Sequence, residues 1–362
     1  KMKKKIYIFF FIYLRQRMSQ KTLDKWLGFK TKKKDTTNIK KFFYINWSSK
    51  YLPENAVWLN SKPENVNFEQ TIKWGKLKSG FEFTLCGYFP DINDKNIISK
   101  EKKYNNLPYI KSHLQKAVRR MEDLLVLQTA SHFIHMDIVA FLRRLPIIMI
   151  EDTHLNISFN NLIWLMVAFS STKFTMKKRI VEYLLGVTYQ IVTTKKKDKL
   201  LKQDLPVPNN LTYITKYNKL KDDECSLLYS LTLRKAYGGL KGDMIMIDKY
   251  LLKWYNRFNN NEIQKYSDDI IYKGINPIHD NMENLMLDKW ILSAIDFHCS
   301  DIINHIRKKY DYFTEGELKQ IIWHSLSCTN KRINQINPYK KEFKRIKEYI
   351  GYAQKYLLMC NH

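Results

Sequence analysis

A mainly α-helical protein is predicted by three observations. From about residue 108 onward, apolar side chains recur at helical spacing. Runs of aromatic and β-branched residues that read as strands are confined to residues 41–100. A 362-residue chain with 44% hydrophobic residues holds enough apolar material for a sizeable core, which excludes a wholly disordered protein. The expected organisation is a large helical domain over 105–362, preceded by a small mixed α/β segment at 41–104 and a flexible basic N-terminal arm.

Residues 1–17 begin with Lys1 rather than methionine, and Lys3–Lys5 flank nine apolar residues, Ile6–Leu14. A bilayer span needs about 20 such residues. Arg15-Gln16-Arg17-Met18 lacks the small-residue cleavage site of a signal peptide. The segment therefore reads as upstream read-through before a start at Met18, with an apolar leader or anchor as the alternative. Within 41–104 the runs Phe42–Trp47, Ala56–Leu59 and Phe81–Cys86 are punctuated by Pro53, Pro63, Gly75, Gly80, Gly87 and Pro90, which gives short strands and turns. Beyond it, helices are predicted over Ile110–Phe133, over 136–145 with a stop near Pro146, and over 162–169 and 177–193. Residues 195–222 are Lys-rich, contain Pro206 and Pro208, and read as a polar connection. Helices resume at 223–236, at 243–258 with Asp243 as N-cap, and at 284–309, 315–328 and 340–358. No repeat of fixed period is present.

The formal net charge is +27. It favours an anionic partner, most simply nucleic acid. Abundant Lys, Asn, Ile and Tyr have AT-rich codons, so genome composition accounts for part of it. The charge is nevertheless uneven: residues 1–50 hold fifteen Lys/Arg and two acidic residues. The cysteines Cys86, Cys225, Cys299, Cys328 and Cys360 are far apart and odd in number, with no Cys-x-x-Cys pair. That spacing argues for a reducing compartment and against a disulfide framework or zinc ribbon.

One short segment has a mechanism. Gln20-Lys-Thr-Leu23-Asp-Lys-Trp26-Leu27 places an aliphatic residue three positions after a glutamine and a large apolar pair three positions further on. One helical turn would put Leu23, Trp26 and Leu27 on one side, with Trp26 as the anchor. This pattern resembles the PCNA-interacting peptide, by which replication and repair proteins dock on a sliding clamp. The resemblance implies that Gln20 hydrogen-bonds a small separate pocket. The usual second aromatic is replaced by Leu27. Lys30, Lys32, Lys33 and Lys34 follow and would meet acidic clamp surface or DNA phosphate. The bland reading makes Leu23, Trp26 and Leu27 part of the chain's own core.

Three further constellations bear on chemistry. Lys116-Ala-Val-Arg119-Arg120 and Phe141-Leu-Arg143-Arg144, the latter running through Pro146 into Glu151-Asp152, pair basic helix ends with carboxylates. This stretch, residues 113–170, distantly resembles the C-terminal helical part of the RarA/MgsA family of clamp-loader-like ATPases. No Gly-x-x-x-x-Gly-Lys-Ser/Thr loop is present, so ATP hydrolysis is not carried over. Arg119, Arg120, Arg143 and Arg144 are either phosphate contacts or internal partners of Glu122, Asp123, Glu151 and Asp152. Second, Arg234-Lys235-Ala-Tyr-Gly238-Gly239-Leu-Lys241-Gly242-Asp243 reads as a phosphate-meeting loop at a helix start, or as a tight turn capped by Asp243. Third, His298, Asp301 and His305 fall on one helical face, a weak metal-ligand spacing, and His132, His135 and Asp137 form a weaker one.

The expectation is a non-catalytic DNA replication or repair accessory. Gln20, Leu23, Trp26 and Leu27 would tether it to a sliding clamp. Lys30, Lys32, Lys33, Lys34, Arg119, Arg120, Arg143, Arg144, Arg234, Lys235 and Lys241 would contact DNA backbone. No cofactor and no membrane are expected, and the setting would be a nucleus or a viral replication compartment. A lysine-rich, AT-biased chain with a clamp peptide resembles proteins of large eukaryotic DNA viruses or AT-rich protists. The rival expectations are a metal-dependent nucleic-acid enzyme using His298, Asp301 and His305, and a basic structural or virion protein that packages nucleic acid.

Overall fold

The aromatic runs of the N-terminal part pair into a four-stranded sheet in a computed structural model of the chain. The structure describes residues 41–49, 52–73, 82–90, 105–156, 158–198, 220–260, 275–282, 287–295 and 300–360. The chain divides into two units, residues 1–39 and 40–362. The Gln20–Leu27 segment and the Lys30–Lys34 run lie outside the described residues.

Strands β1 (Lys41–Asn46), β2 (Val57–Leu59), β3 (Phe68–Lys73) and β4 (Glu82–Tyr88) lie in the order β2-β1-β4-β3. β1 pairs parallel with β4 and antiparallel with β2, and β3 pairs antiparallel with β4. In this register Phe43 sits opposite both Trp58 and Leu85, and the Phe43 and Trp58 rings stack at 4.5 Å.

Ten α-helices follow among the described residues. α1 (Leu107–Arg120) starts where Asn106 accepts the Tyr109 amide and Pro108 occupies the first turn. α2 spans Asp123–Met136, and α3 spans Ile138–Asp152 with Asp137 capping the Ala140 amide. α4 (Ser158–Ser171) is buried over nearly its whole circumference and forms the centre of the fold. Its Trp164 indole donates to the carbonyls of Phe43 and Cys86, at 3.1 and 3.0 Å, and so joins the sheet to the helices. α5 (Lys178–Thr193) packs on α2, while α6 (Asp222–Ala236) and α7 (Lys241–Asn259) form an antiparallel pair whose first member covers β2. α8 (Ser300–Arg307), α9 (Glu315–Ile322) and α10 (Lys340–Cys360) complete the chain. Thr314 and Glu317 form a capping box at the start of α9. One continuous apolar core runs through both the sheet and the helices.

Four local expectations are corrected. The predicted Ile110–Phe133 helix is broken at Met121, whose φ of 55° is left-handed, and Glu122-Asp123 then open α2, where acidic side chains suit a helix start. The helix predicted to stop at Pro146 continues to Asp152. Leu145 and Ile147–Ile150 are all buried there, and their packing outweighs the one hydrogen bond that proline removes. Over the predicted 284–309 helix the described part is two short 3₁₀ turns, Leu287–Lys289 and Leu292–Ala294, followed by α8. Asp243 lies inside the first turn of α7, and Leu240 occupies the cap position.

The last part of the chain is stitched back onto the first helices. The Arg332 guanidinium donates to the carbonyls of Val118, Ile191, Val192 and Thr194, at distances from 2.5 to 3.1 Å. Those carbonyls belong to the C-terminal ends of α1 and α5, which a helix leaves without internal donors. Beside it the Lys331 amide donates to the Arg119 carbonyl at 3.0 Å, and Asn330 Nδ2 to the Asp152 carbonyl at 3.1 Å.

Candidate nucleic-acid interface

The paired arginines of α1 face inward. Arg119 Nε donates to Asp152 Oδ1 and its Nη2 to Glu151 Oε1, both at 2.7 Å, and its Nη1 meets the Ser327 carbonyl. The side chains of Arg119 and Asp152 are 8% and 1% exposed, so this is a buried ion pair. Burial alone would lower the Arg119 pKa, but Asp152 and then Glu151 hold it above its ordinary value. Gln115 donates to both carboxylates and accepts from Arg144, which closes the network. Arg120 binds the carbonyls of Lys116 and Leu326 and the Ser293 hydroxyl. Both arginines are thus engaged internally, Arg119 by the expected Glu151 and Asp152, and Arg120 by backbone carbonyls and a hydroxyl.

The other two basic constellations meet in space. Arg143 and Arg144 of α3 reach the turn between α6 and α7. Arg143 Nη2 donates to the Tyr237 carbonyl at 2.9 Å, and Arg144 Nη1 lies 3.4 Å from Asp243 Oδ2. Arg234 of α6 returns the contact: its Nε and Nη2 donate to the Arg143 carbonyl at 3.1 and 2.6 Å, and its Nη1 to the Gly238 carbonyl at 2.9 Å. Pro146 has no N–H to give the Leu142 carbonyl, which precedes the Arg143 carbonyl that Arg234 binds. Gly238 turns the chain with φ 73°, a conformation that costs a side-chain-bearing residue about 1–2 kcal/mol.

Cations outnumber carboxylates at this turn. Lys111 is half-buried near Arg143 and Arg144, with Asp137 as its acidic neighbour. Burial lowers the Lys111 pKa, and burial followed by repulsion from Arg143 pulls Arg234 down to about 10. Lys111, Arg143, Arg144 and Arg234 therefore share Asp137 and Asp243. Arg144 Nε is buried with no hydrogen-bond partner. Lys235 pairs with Asp248 at 2.5 Å and stays 39% exposed, and Lys241 at the start of α7 is exposed. The amides of an opening helix turn carry positive potential, so this rim suits a phosphate group.

The metal-ligand spacing falls partly on His298, which lies outside the described residues. Asp301 is exposed, and the His305 ring packs between Tyr349 and Tyr356. His135 instead binds Asp280 at 2.6 Å, an aspartate that also accepts from Ser131. Among the described residues no trio of His, Cys, Asp or Glu could hold a metal ion. Cys86, Cys225, Cys328 and Cys360 are free thiols. No helix among the described residues is long and apolar enough to cross a membrane. Sequence reasoning missed Arg332, and it missed Tyr349, Tyr352 and Tyr356, whose i, i+3, i+7 spacing on a Lys-rich helix was the available signal.

The fold places the chain in the class of mainly α proteins with a small mixed sheet. No protein-family model matches the sequence, no curated protein is significantly similar to it, and no solved structure matches it.

Proposed function

We propose that the protein is a non-catalytic DNA replication or repair accessory that docks on a sliding clamp and touches DNA backbone without reading sequence. The observation that carries the reading is the Gln20/Leu23/Trp26/Leu27 pattern, followed by Lys30, Lys32, Lys33 and Lys34. The turn at Gly238 supports its second half: Arg143, Arg144, Lys235 and Lys241 gather at a helix start against two carboxylates, Asp243 and Asp248. Arg119 is left out of the DNA-contacting set because its guanidinium is buried on Asp152 and Glu151. A tether raises local concentration, so weak phosphate contacts suffice.

Calorimetry of a peptide covering residues 18–34 against the sliding clamp of the source genome tests it. Trp26→Ala with Leu27→Ala should weaken binding by roughly 100-fold, the loss of an aromatic anchor and its neighbour. Equal binding by both peptides would reduce the interaction to lysine electrostatics and remove the proposal.

A further inference from the structure

α10 presents two different faces. Ile346, Ile350, Ala353 and Leu358 are buried against the core. On the opposite side Lys341, Arg345, Tyr349, Tyr352, Tyr356 and Met359 recur at spacings of three or four residues and form one stripe. Tyr352 is 58% exposed, Tyr356 47% and Met359 65%. Large apolar surfaces left in water on one helix face, beside charges of one sign, mark a contact surface.

The exposure of its near-parallel rings separates this cluster from the core. His305 of α8 lies 5.7 Å from Tyr349 at an interplanar angle of 18°, and 5.3 Å from Tyr356 at 23°. Tyr349 and Tyr352 are inclined by 26°, Tyr352 and Tyr356 by 23°. These rings are close to parallel, and the outer ones turn to solvent. The core mixes both arrangements, with edge-to-face pairs such as Phe68–Phe89 at 88° and Trp164–Phe174 at 79° beside the stacked Phe43 and Trp58 rings. Cations frame the exposed cluster. Lys309 Nζ sits 4.5 Å over the Tyr349 ring, and Arg307 and Lys308 at the end of α8 are exposed. α10 itself holds Lys340, Lys341, Lys344, Arg345, Lys347 and Lys355 against Glu342 and Glu348.

We infer that this face binds single-stranded nucleic acid, its bases stacking on Tyr352 and Tyr356 and its phosphates tracking Lys341, Arg345 and Lys309. Parallel exposed rings beside a line of cations match what an unpaired strand offers: flat π-faces and a regular negative backbone. Duplex DNA keeps its base faces inside the stack and presents only the second of these. The inference is independent of the clamp peptide.

Fluorescence anisotropy with the full chain tests it, using a labelled oligothymidylate of about 15 nucleotides, the same length with abasic sites, and a duplex. The base-bearing strand should bind most tightly. Tyr352→Ala with Tyr356→Ala should weaken that binding by roughly 10-fold or more, while Tyr352→Phe with Tyr356→Phe stays within about 3-fold of the parent. Both tyrosines are exposed, and circular dichroism checks that the folded helix content is unchanged. Trp26→Ala with Leu27→Ala should leave the strand affinity at the parent value, so a failure of clamp docking is read separately. Unchanged binding in the Ala pair, equal affinity for the abasic strand, or a Phe pair as weak as the Ala pair would overturn the assignment.

Discussion

The α1–α3 region and the outer face of α10 are both rich in Arg and Lys, and they use those cations in opposite ways. In the first, Arg119 and Arg120 are turned inward, and their donors are spent on carboxylates, carbonyls and a hydroxyl of the same chain. In the second, Lys341, Arg345 and Lys355 are exposed beside aromatic rings. Net charge therefore says little about charge available to a partner. A guanidinium buried on two carboxylates adds nothing to the field that steers a nucleic acid, whereas a solvated cation near stacked rings adds most of what such a ligand meets.

Substitutions at the two places should separate these roles. The largest effect is expected at Arg119: Arg119→Ala leaves Asp152 buried without its cation and should cost about 3–5 kcal/mol in urea unfolding. Because the two side chains act as a unit, adding Asp152→Ala should cost less than the sum of the single changes. A parent-like midpoint for Arg119→Ala would mean that the buried network does not hold the helices together.

A smaller, pH-dependent effect is expected at His113, which is buried in α1 near Lys116 and Arg120. Burial first, then Arg120 and Lys116, lowers its pKa to about 3. The unfolded imidazole, with a pKa near 6.5, binds a proton that the folded one refuses. Its contribution is therefore fully present above about pH 6.5 and is lost as pH falls toward 3. Unfolding free energy measured between pH 6 and 4 should drop by about 1.4 kcal/mol per pH unit from this group alone. His113→Gln should remove that part of the slope. An identical slope in the variant would place the acid sensitivity elsewhere.

The smallest effect on stability is expected on α10. Lys341→Ala, Arg345→Ala and Lys355→Ala should each shift stability by less than about 0.5 kcal/mol, as exposed charges do. In strand-binding titrations the triple variant should show a shallower dependence of affinity on salt, by about 0.7 in log–log slope for each contact removed. A stability loss comparable to that of Arg119→Ala would erase the contrast between the two regions.

The helical class and the strand-rich start were legible because period is a local property: Lys178–Thr193 and Lys340–Cys360 lie within two residues of their predicted limits. Pro146 and Met121 were misjudged for a shared reason. Whether a helix survives a proline, or ends without one, depends on what buries Leu145 and Ile147 and on where the next helix packs, and neither is written nearby in the sequence. The convergence of Arg143, Arg144 and Arg234 was invisible for the same reason, since roughly ninety positions separate the partners. His305 shows the converse failure. Its spacing from Asp301 and His298 suggested ligands, yet its ring is held by tyrosines more than forty positions later in the chain.

Arg332 carries a consequence for how the protein comes apart. One planar cation ties off two helices that are more than seventy positions apart, so the terminal third cannot peel away while the opening bundle stays whole. Shortened versions ending before this residue would expose frayed helix tips and precipitate instead of surviving as a smaller module. Loss of this one side chain should therefore loosen the ends of α1 and α5 together with the terminal segment that carries it.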